Sequence, residues 1–251
     1  MGGKHRRDPA KRAQKQPPPR LFPQGGGSRR QLVLLLAATL LPAAAPDPLL
    51  AAYPHQFVRI GPDLVWPDGT RIAVPAAQTS YPRILPPAPP AEDEDPGRDR
   101  NAAFLARMYG DCRLGEVAAH LVATPWIGGH SVQVTEINHV DRHLAAVARE
   151  LDAPDLRRYL WPIAGTYVCR AVADTGAPSM HSYGAAIDIN LSVSDYWLWR
   201  HGAPWRDRVP DAIVAAFERH GFIWGGRWAH YDTMHFEYRP DLLGMSAEDP
   251  D

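Results

Sequence analysis

Ser179-Met-His181-Ser-Tyr-Gly184-Ala-Ala-Ile-Asp188-Ile-Asn190 is the stretch on which the reading of this chain turns, and Trp228-Ala-His230-Tyr-Asp232-Thr-Met-His235-Phe-Glu237 answers it about one helix later. From Ala185 to Leu191 the residues alternate, so a strand there turns Ile187, Ile189 and Leu191 to a core and Ala186, Asp188 and Asn190 the other way. Ser182-Tyr183-Gly184 reads as a turn that folds His181 back over that strand, with Gly184 supplying a positive φ or a close backbone approach. Met234, Phe236 and Tyr238 alternate with His235 and Glu237 in the same way. Each strand therefore presents metal-ligand chemistry on one face.

Two neutral imidazoles, His181 and His235, and one carboxylate, Asp188, make a common open zinc set that leaves a fourth position for water. Zinc bound by one carboxylate retains positive charge, which brings the pKa of a bound water to about 7. Asp232 precedes His235 by three residues, in the turn that leads into the strand. There it is placed to act as general base and then as acid to a leaving amine, without being a ligand. A single His-x6-Asp pattern is common and most often structural; the second motif in the right order gives it meaning.

The pattern Ser179-x-His181-x-x-Gly184-x-Ala186-x-Asp188 followed by Asp232-x-x-His235 resembles the signature of the zinc D-alanyl-D-alanine carboxypeptidase and L-alanyl-D-glutamate peptidase family. That family includes vancomycin-resistance carboxypeptidases and phage endolysin peptidases. The resemblance covers roughly residues 132–240. It implies one zinc ion held by His181, Asp188 and His235, with Asp232 as the catalytic carboxylate. Arg170, in Gly165-Thr-Tyr-Val-Cys-Arg170, resembles an arginine that members place upstream of the first histidine to hold a substrate carboxylate or carbonyl oxygen. The implied fold is α+β, a small and mainly antiparallel sheet with helices on one face and a zinc cleft on the other. The implied substrates are peptidoglycan stem peptides.

Around the motifs, Ser179, Ser182 and Trp228 are candidate substrate contacts, although serines in turns need no such role. Glu237 is read either as a partner of an imidazole or as a solvated strand carboxylate, and His230 as a loop histidine. Tyr196, Trp197, Trp199, Trp205, Trp224 and Trp228 concentrate aromatics near the site, some to line a groove and others to fill the core. His139 and His143 lie four apart on a helix, but without a His-Glu-x-x-His pattern they are read as surface histidines. Cys112 and Cys169 form either one disulfide, as an exported chain allows, or two buried thiols.

The 251 residues suffice for one sizeable domain with extensions. A formal net charge of −1 hides a strong asymmetry: Lys4, Lys11 and Lys15 are the only lysines, and arginines reinforce them up to Arg30. Residues 1–30 therefore form a basic leader with the composition of disorder. Beyond Tyr53 the chain is net acidic, and nothing there suggests a nucleic-acid surface. Residues 31–52 carry the apolar run Leu32–Ala45, short of the roughly 20 residues a membrane span needs. It reads as the core of a secretory signal or as a retained anchor, and either places the protein outside the cytoplasm, in the periplasm or cell envelope. Membrane contact is expected only if that run is kept.

Residues 53–100 comprise a hairpin, Asp63–Val74 with its turn at Pro67-Asp68-Gly69, and a Pro-rich acidic loop from Pro86 to Gly97 read as a solvated charge run. Residues 101–240 hold the catalytic domain, and 241–251 an acidic tail. Helices are expected at Phe104–Tyr109, Leu114–Leu121, Asn138–Leu151 and after Pro210, the last closed by Gly221. The rival to an enzyme is a non-catalytic envelope or peptidoglycan-binding protein that keeps the fold; the intact Asp232 speaks against it.

Overall fold

The two motif segments become neighbouring strands because each puts an apolar residue on one face every second position. A computed structural model describes residues 47–75, 81–83, 87–88, 93–200 and 205–246. The basic leader, the apolar run, part of the acidic loop and the end of the acidic tail lie outside the described residues. The chain divides between Ala43 and Ala44, and everything described falls in the second unit.

In chain order the elements are α1 (Pro48–Ala52), β1 (Val58–Ile60), β2 (Asp63–Val65), β3 (Arg71–Ala73), α2 (Ala102–Tyr109), β4 (Leu121–Pro125) and β5 (Ser131–Thr135). They continue with α3 (Val140–Leu151), α4 (Arg157–Leu160), β6 (Ala186–Asp188), α5 (Asp211–Arg219), β7 (Phe222–Trp224) and β8 (His235–Tyr238). The described residues thus form an α+β fold of small antiparallel sheets: β1-β2-β3, β4-β5 and β6-β8-β7.

In the third sheet β8 is central. Its register on β6 sets Asp188 opposite His235, Ile187 opposite Phe236 and Ala186 opposite Glu237. Phe236 turns to the helical side, where its ring stacks on Phe217 of α5 at 3.8 Å between centroids. Ile213, Val214 and Phe217, the stripe expected after Pro210, are all fully buried. Truncating either stacked ring would cost about 3–5 kcal/mol, so this layer holds β8 firmly in place. The helix ends as expected at Gly221, whose φ of 87° no β-carbon tolerates easily.

The hairpin is present as β2 and β3, its turn closed by Gly69 donating to Trp66 O at 2.9 Å. Phe57 and Trp66 pack on Phe104 of α2, and all three share one core with Ile187 and Phe236. The N-terminal strands therefore belong to the body that carries the motifs.

Some expectations fail for local reasons. Leu114–Leu121 is not one helix: short 3-10 turns at Cys112–Leu114 and Val117–His120 are separated by Gly115 at φ 76°, and Leu121 already begins β4. The β4–β5 hairpin was not foreseen. The helix expected from Asn138 starts at Val140, because Asn138 and His139 both have positive φ. His143 is buried against the Tyr238 ring at 4.9 Å rather than on the surface. Leu191 is 45% exposed: β6 ends at Asp188, and the Asn190 side chain caps a turn at Ser192 instead of extending the strand.

Candidate functional site

Three backbone devices bring the donors together. A 3-10 turn, Met180–Tyr183, is capped at its start by the Ser179 hydroxyl and closed by Gly184 at φ 68°. Gly184 meets both requirements read from the sequence, since a β-carbon there would lie 2.8 Å from Leu121 Cδ2 and 3.1 Å from the Thr135 nitrogen. The cross-strand register supplies the second device, pairing Asp188 with His235. The third is the segment before the motif: Gly165 bridges to Asp188, which places the Thr166 carbonyl on the Nδ1 of His181.

A carbonyl only accepts, so His181 carries its proton on Nδ1 and turns the Nε2 lone pair inward. His235 donates from Nε2 to Glu237 at 2.9 Å and turns Nδ1 inward. The inward atoms are separated by 3.0 Å (His181 Nε2 to Asp188 Oδ1), 2.9 Å (His235 Nδ1 to Asp188 Oδ1) and 3.1 Å (between the imidazoles). Three lone pairs this close repel unless positive charge sits among them. They are the group among the described residues able to hold a metal ion. Donors at tetrahedral zinc stand about 3.3 Å apart, and two imidazoles with one carboxylate are a zinc donor set. The residues therefore fit the ion that the motif implies.

The electrostatics follow from burial and neighbours. Burial works against the Asp188 carboxylate, but His181 and His235 outweigh it and hold its pKa well below the usual range. Burial likewise opposes the His235 cation, yet its bonds to Asp188 and Glu237 raise the pKa to about 10. Glu237 is held at about 2, against its own burial, by Arg100 and His235. Asp232 differs: burial and the Asp188 charge push it up to about 7. Its Oδ1 is buried without a hydrogen-bond partner. A carboxyl poised near neutrality with a vacant acceptor lobe suits proton transfer to and from a reacting molecule.

The expected residues do not all share one role. Asp188, Asp232 and His235 line a cleft of about 370 Å³ together with Arg170, Trp199 and Trp228. Ser179 also reaches it, although its hydroxyl caps the His181 turn. Ser182 turns away: it donates to Arg170 O at 2.7 Å and accepts from Arg170 N at 3.0 Å, so it positions the Arg170 segment. The Trp228 indole is buried, donates to Pro96 O at 2.8 Å and lies 5.6 Å from the His235 ring. Trp199, 60% exposed, and Tyr196 form the aromatic lip, whereas Trp224 is core. Cys112 and Cys169 are joined in a disulfide next to Arg170.

Glu237 is fully buried, which removes its reading as a solvated carboxylate. Its partner Arg100 was missed, since nothing in the sequence around Arg100 hints at a contact with β8. Asp95 was also misread as part of a solvated charge run: it accepts from the His230 ring at 2.6 Å.

No curated protein and no solved structure matches the chain. Residues 173–238 match the family described as D-alanyl-D-alanine carboxypeptidase. That stretch contains His181, Asp188, Asp232 and His235, so the part of the chain similar to the D-alanyl-D-alanine carboxypeptidase family is the part that brings these four side chains together.

Proposed function

We propose that the protein is a zinc-dependent peptidase that hydrolyses amide bonds in peptidoglycan stem peptides. The observation that carries this reading is the convergence of three inward lone pairs beside the cleft into which Asp232 brings a carboxyl with one unpartnered oxygen, Oδ1. His181, Asp188 and His235 would hold one zinc ion per chain. When bound, zinc supplies Lewis acidity, polarising a carbonyl and acidifying a water.

The chain's own groups do the rest. Asp232 accepts a proton from the attacking water and passes it to the departing amine. Positive charge at the metal ligands would lower its pKa from about 7 and keep it ionised for the first transfer. Arg170, at the cleft wall, offsets negative charge that develops on the substrate. Trp228, packed on His235, shields the ligand from water.

An exported setting accords with the apolar run at 32–45 and with the Cys112–Cys169 disulfide, because such bridges persist outside the reducing cytoplasm. The protein would then act in the periplasm or cell envelope, tethered if that run is retained. Among the described residues no helix is long and apolar enough to cross a membrane.

The test is to incubate the zinc-loaded full-length protein with purified peptidoglycan fragments and follow the masses of the products, with Asp232→Ala as control. Amide hydrolysis that the variant lacks is expected. Intact fragments in the presence of folded, metal-bound protein would sink the peptidase reading in favour of a binding protein.

A further inference from the structure

We propose that the Cys112–Cys169 disulfide is the clamp that positions Arg170 in the cleft, so that the site is fully competent only while the bridge is oxidised. This rests on the peptidase reading above and adds to it a pair of positioning residues and a sensitivity to reductant.

The stretch that carries Arg170 has little apolar packing to hold it. Residues 168–171 are exposed, with Val168 at 45%. Arg170 and Val172 line the cleft, while Cys169, Arg170 and Ala171 line a second groove of about 470 Å³ together with Cys112 and Ser182. The backbone bonds of the stretch run to the motif turn. Val168 N donates to His181 O at 3.3 Å, Ser179 N donates to Arg170 O at 3.1 Å, and the Ser182 hydroxyl bonds both Arg170 N and Arg170 O. Arg170 makes no ion pair among the described residues, so its guanidinium goes where its backbone is held. Burial and the Asp188 charge push the Asp232 carboxyl up, and His235 and Arg170 pull it back, which puts the Arg170 charge within reach of that carboxyl.

The bridge anchors the stretch to a different part of the fold. Cys112 begins a 3-10 turn just after α2, a helix that buries Phe104, Leu105, Met108 and Tyr109. The turn is itself braced, since Asp111 Oδ1 accepts from Arg113 N at 2.9 Å and Glu116 Oε2 accepts from Asp111 N at 2.8 Å. Two cysteines 57 residues apart in sequence are thereby held with their Cα atoms 5.7 Å apart. The residue next to Arg170 is thus tied to a helix seated in the core.

The bridge is also within reach of a reductant. Cys169 is exposed, both cysteines line the open groove, and each is followed by an arginine, Arg113 and Arg170. A neighbouring cation favours the thiolate and so eases exchange. One thiolate of a dithiol attacks Cys169 Sγ, the S–S bond breaks with Cys112 leaving as thiolate, and a mixed disulfide forms. The second thiolate then displaces Cys169. Two electrons and two protons pass from the dithiol to the cysteines, and the reductant departs as a disulfide. Cys169 is then free of α2, and Arg170 loses its fixed place.

The experiment compares the zinc-loaded full-length protein in three forms: oxidised, reduced after folding by a phosphine, and carrying Cys112→Ser with Cys169→Ser. Each form is prepared with and without Arg170→Ala, and kcat/KM on purified stem peptides is measured beside zinc content. The two disulfide-free forms should lose about 10-fold in kcat/KM, divided between KM and kcat as in Arg170→Ala. Arg170→Ala should cost about 10-fold less in them than in the oxidised protein, whereas a merely structural bridge would make the two losses additive. Zinc content should not change. Hydrogen exchange on the same samples reads the positioning without turnover: amides of residues 168–172 should exchange about 10-fold faster without the bridge, while those of β8 keep their protection. Full activity of both disulfide-free forms, additive losses, or unchanged exchange at 168–172 overturns the clamp while the peptidase reading stands. Intact stem peptides with every form, the oxidised one included, overturn the peptidase reading, and the exchange result then decides the clamp by itself.

Discussion

Glu237 accepts the Nε2 proton of His235 at 2.9 Å while Arg100 clasps the same carboxylate, and the carboxylate has no solvent exposure. That bond fixes which nitrogen of His235 is protonated and aims the other at Asp188. The Arg100–Glu237 pair spans two parts of the chain that the sequence alone gives no reason to connect.

Removing that support should loosen the metal site. Glu237→Ala is expected to weaken zinc binding by about 10- to 100-fold, measured by competition with a chromophoric chelator. Arg100→Ala leaves Glu237 buried without its guanidinium and should cost about 3–5 kcal/mol of stability. Undiminished zinc affinity in Glu237→Ala would show that the bond does not position His235.

Asp232→Asn keeps the shape of the cleft and removes the group proposed to move the proton. Turnover should fall by about 100- to 10,000-fold, while zinc stoichiometry by elemental analysis stays at that of the unaltered protein. Loss of both together would instead make Asp232 a ligand.

Gly184→Ala asks whether the turn that presents His181 needs glycine. The backbone is at φ 68° and the added carbon meets Leu121 and the Thr135 nitrogen, so a loss of about 1–3 kcal/mol is expected in denaturant unfolding. Wild-type stability would mean that β4 and β5 give way without penalty.

Asp207 offers a pH test away from the metal ligands. Burial, and after it the Asp211 charge, raise its pKa to about 6 from an ordinary 3.8, against the stabilising bond from Val209 N at 3.1 Å. The folded protein thus keeps this proton up to about pH 6, whereas the unfolded chain releases it near 4. The carboxylate's cost therefore begins above about pH 4 and is complete above about pH 6. Asp207→Asn should stabilise the protein at pH 7 by less than about 1 kcal/mol, since the site is half open to screening solvent. The gain should vanish at pH 4, as thermal melts at the two values would show.

The grouping of the motif side chains was legible in the sequence because it is local. Two-residue alternation sets which side chains share a face of a strand, a glycine at a left-handed turn is a requirement of a few residues, and His181, Asp188, Asp232 and His235 sit within such windows. The apolar stripe of α5 and the turn at Gly69 were readable for the same reason. What the tertiary structure decided depends on partners far along the chain. Leu191 left the strand when Asn190 found its turn, and the Leu114–Leu121 segment gave way to short turns and β4, which then paired with β5. Arg100 met Glu237, Asp95 met His230 and Arg98 met Asp174. An arginine or aspartate carries no periodic signal of the carboxylate or imidazole it will meet, since a buried ion pair is selected by the geometry of the whole core and by the cost of leaving either charge alone.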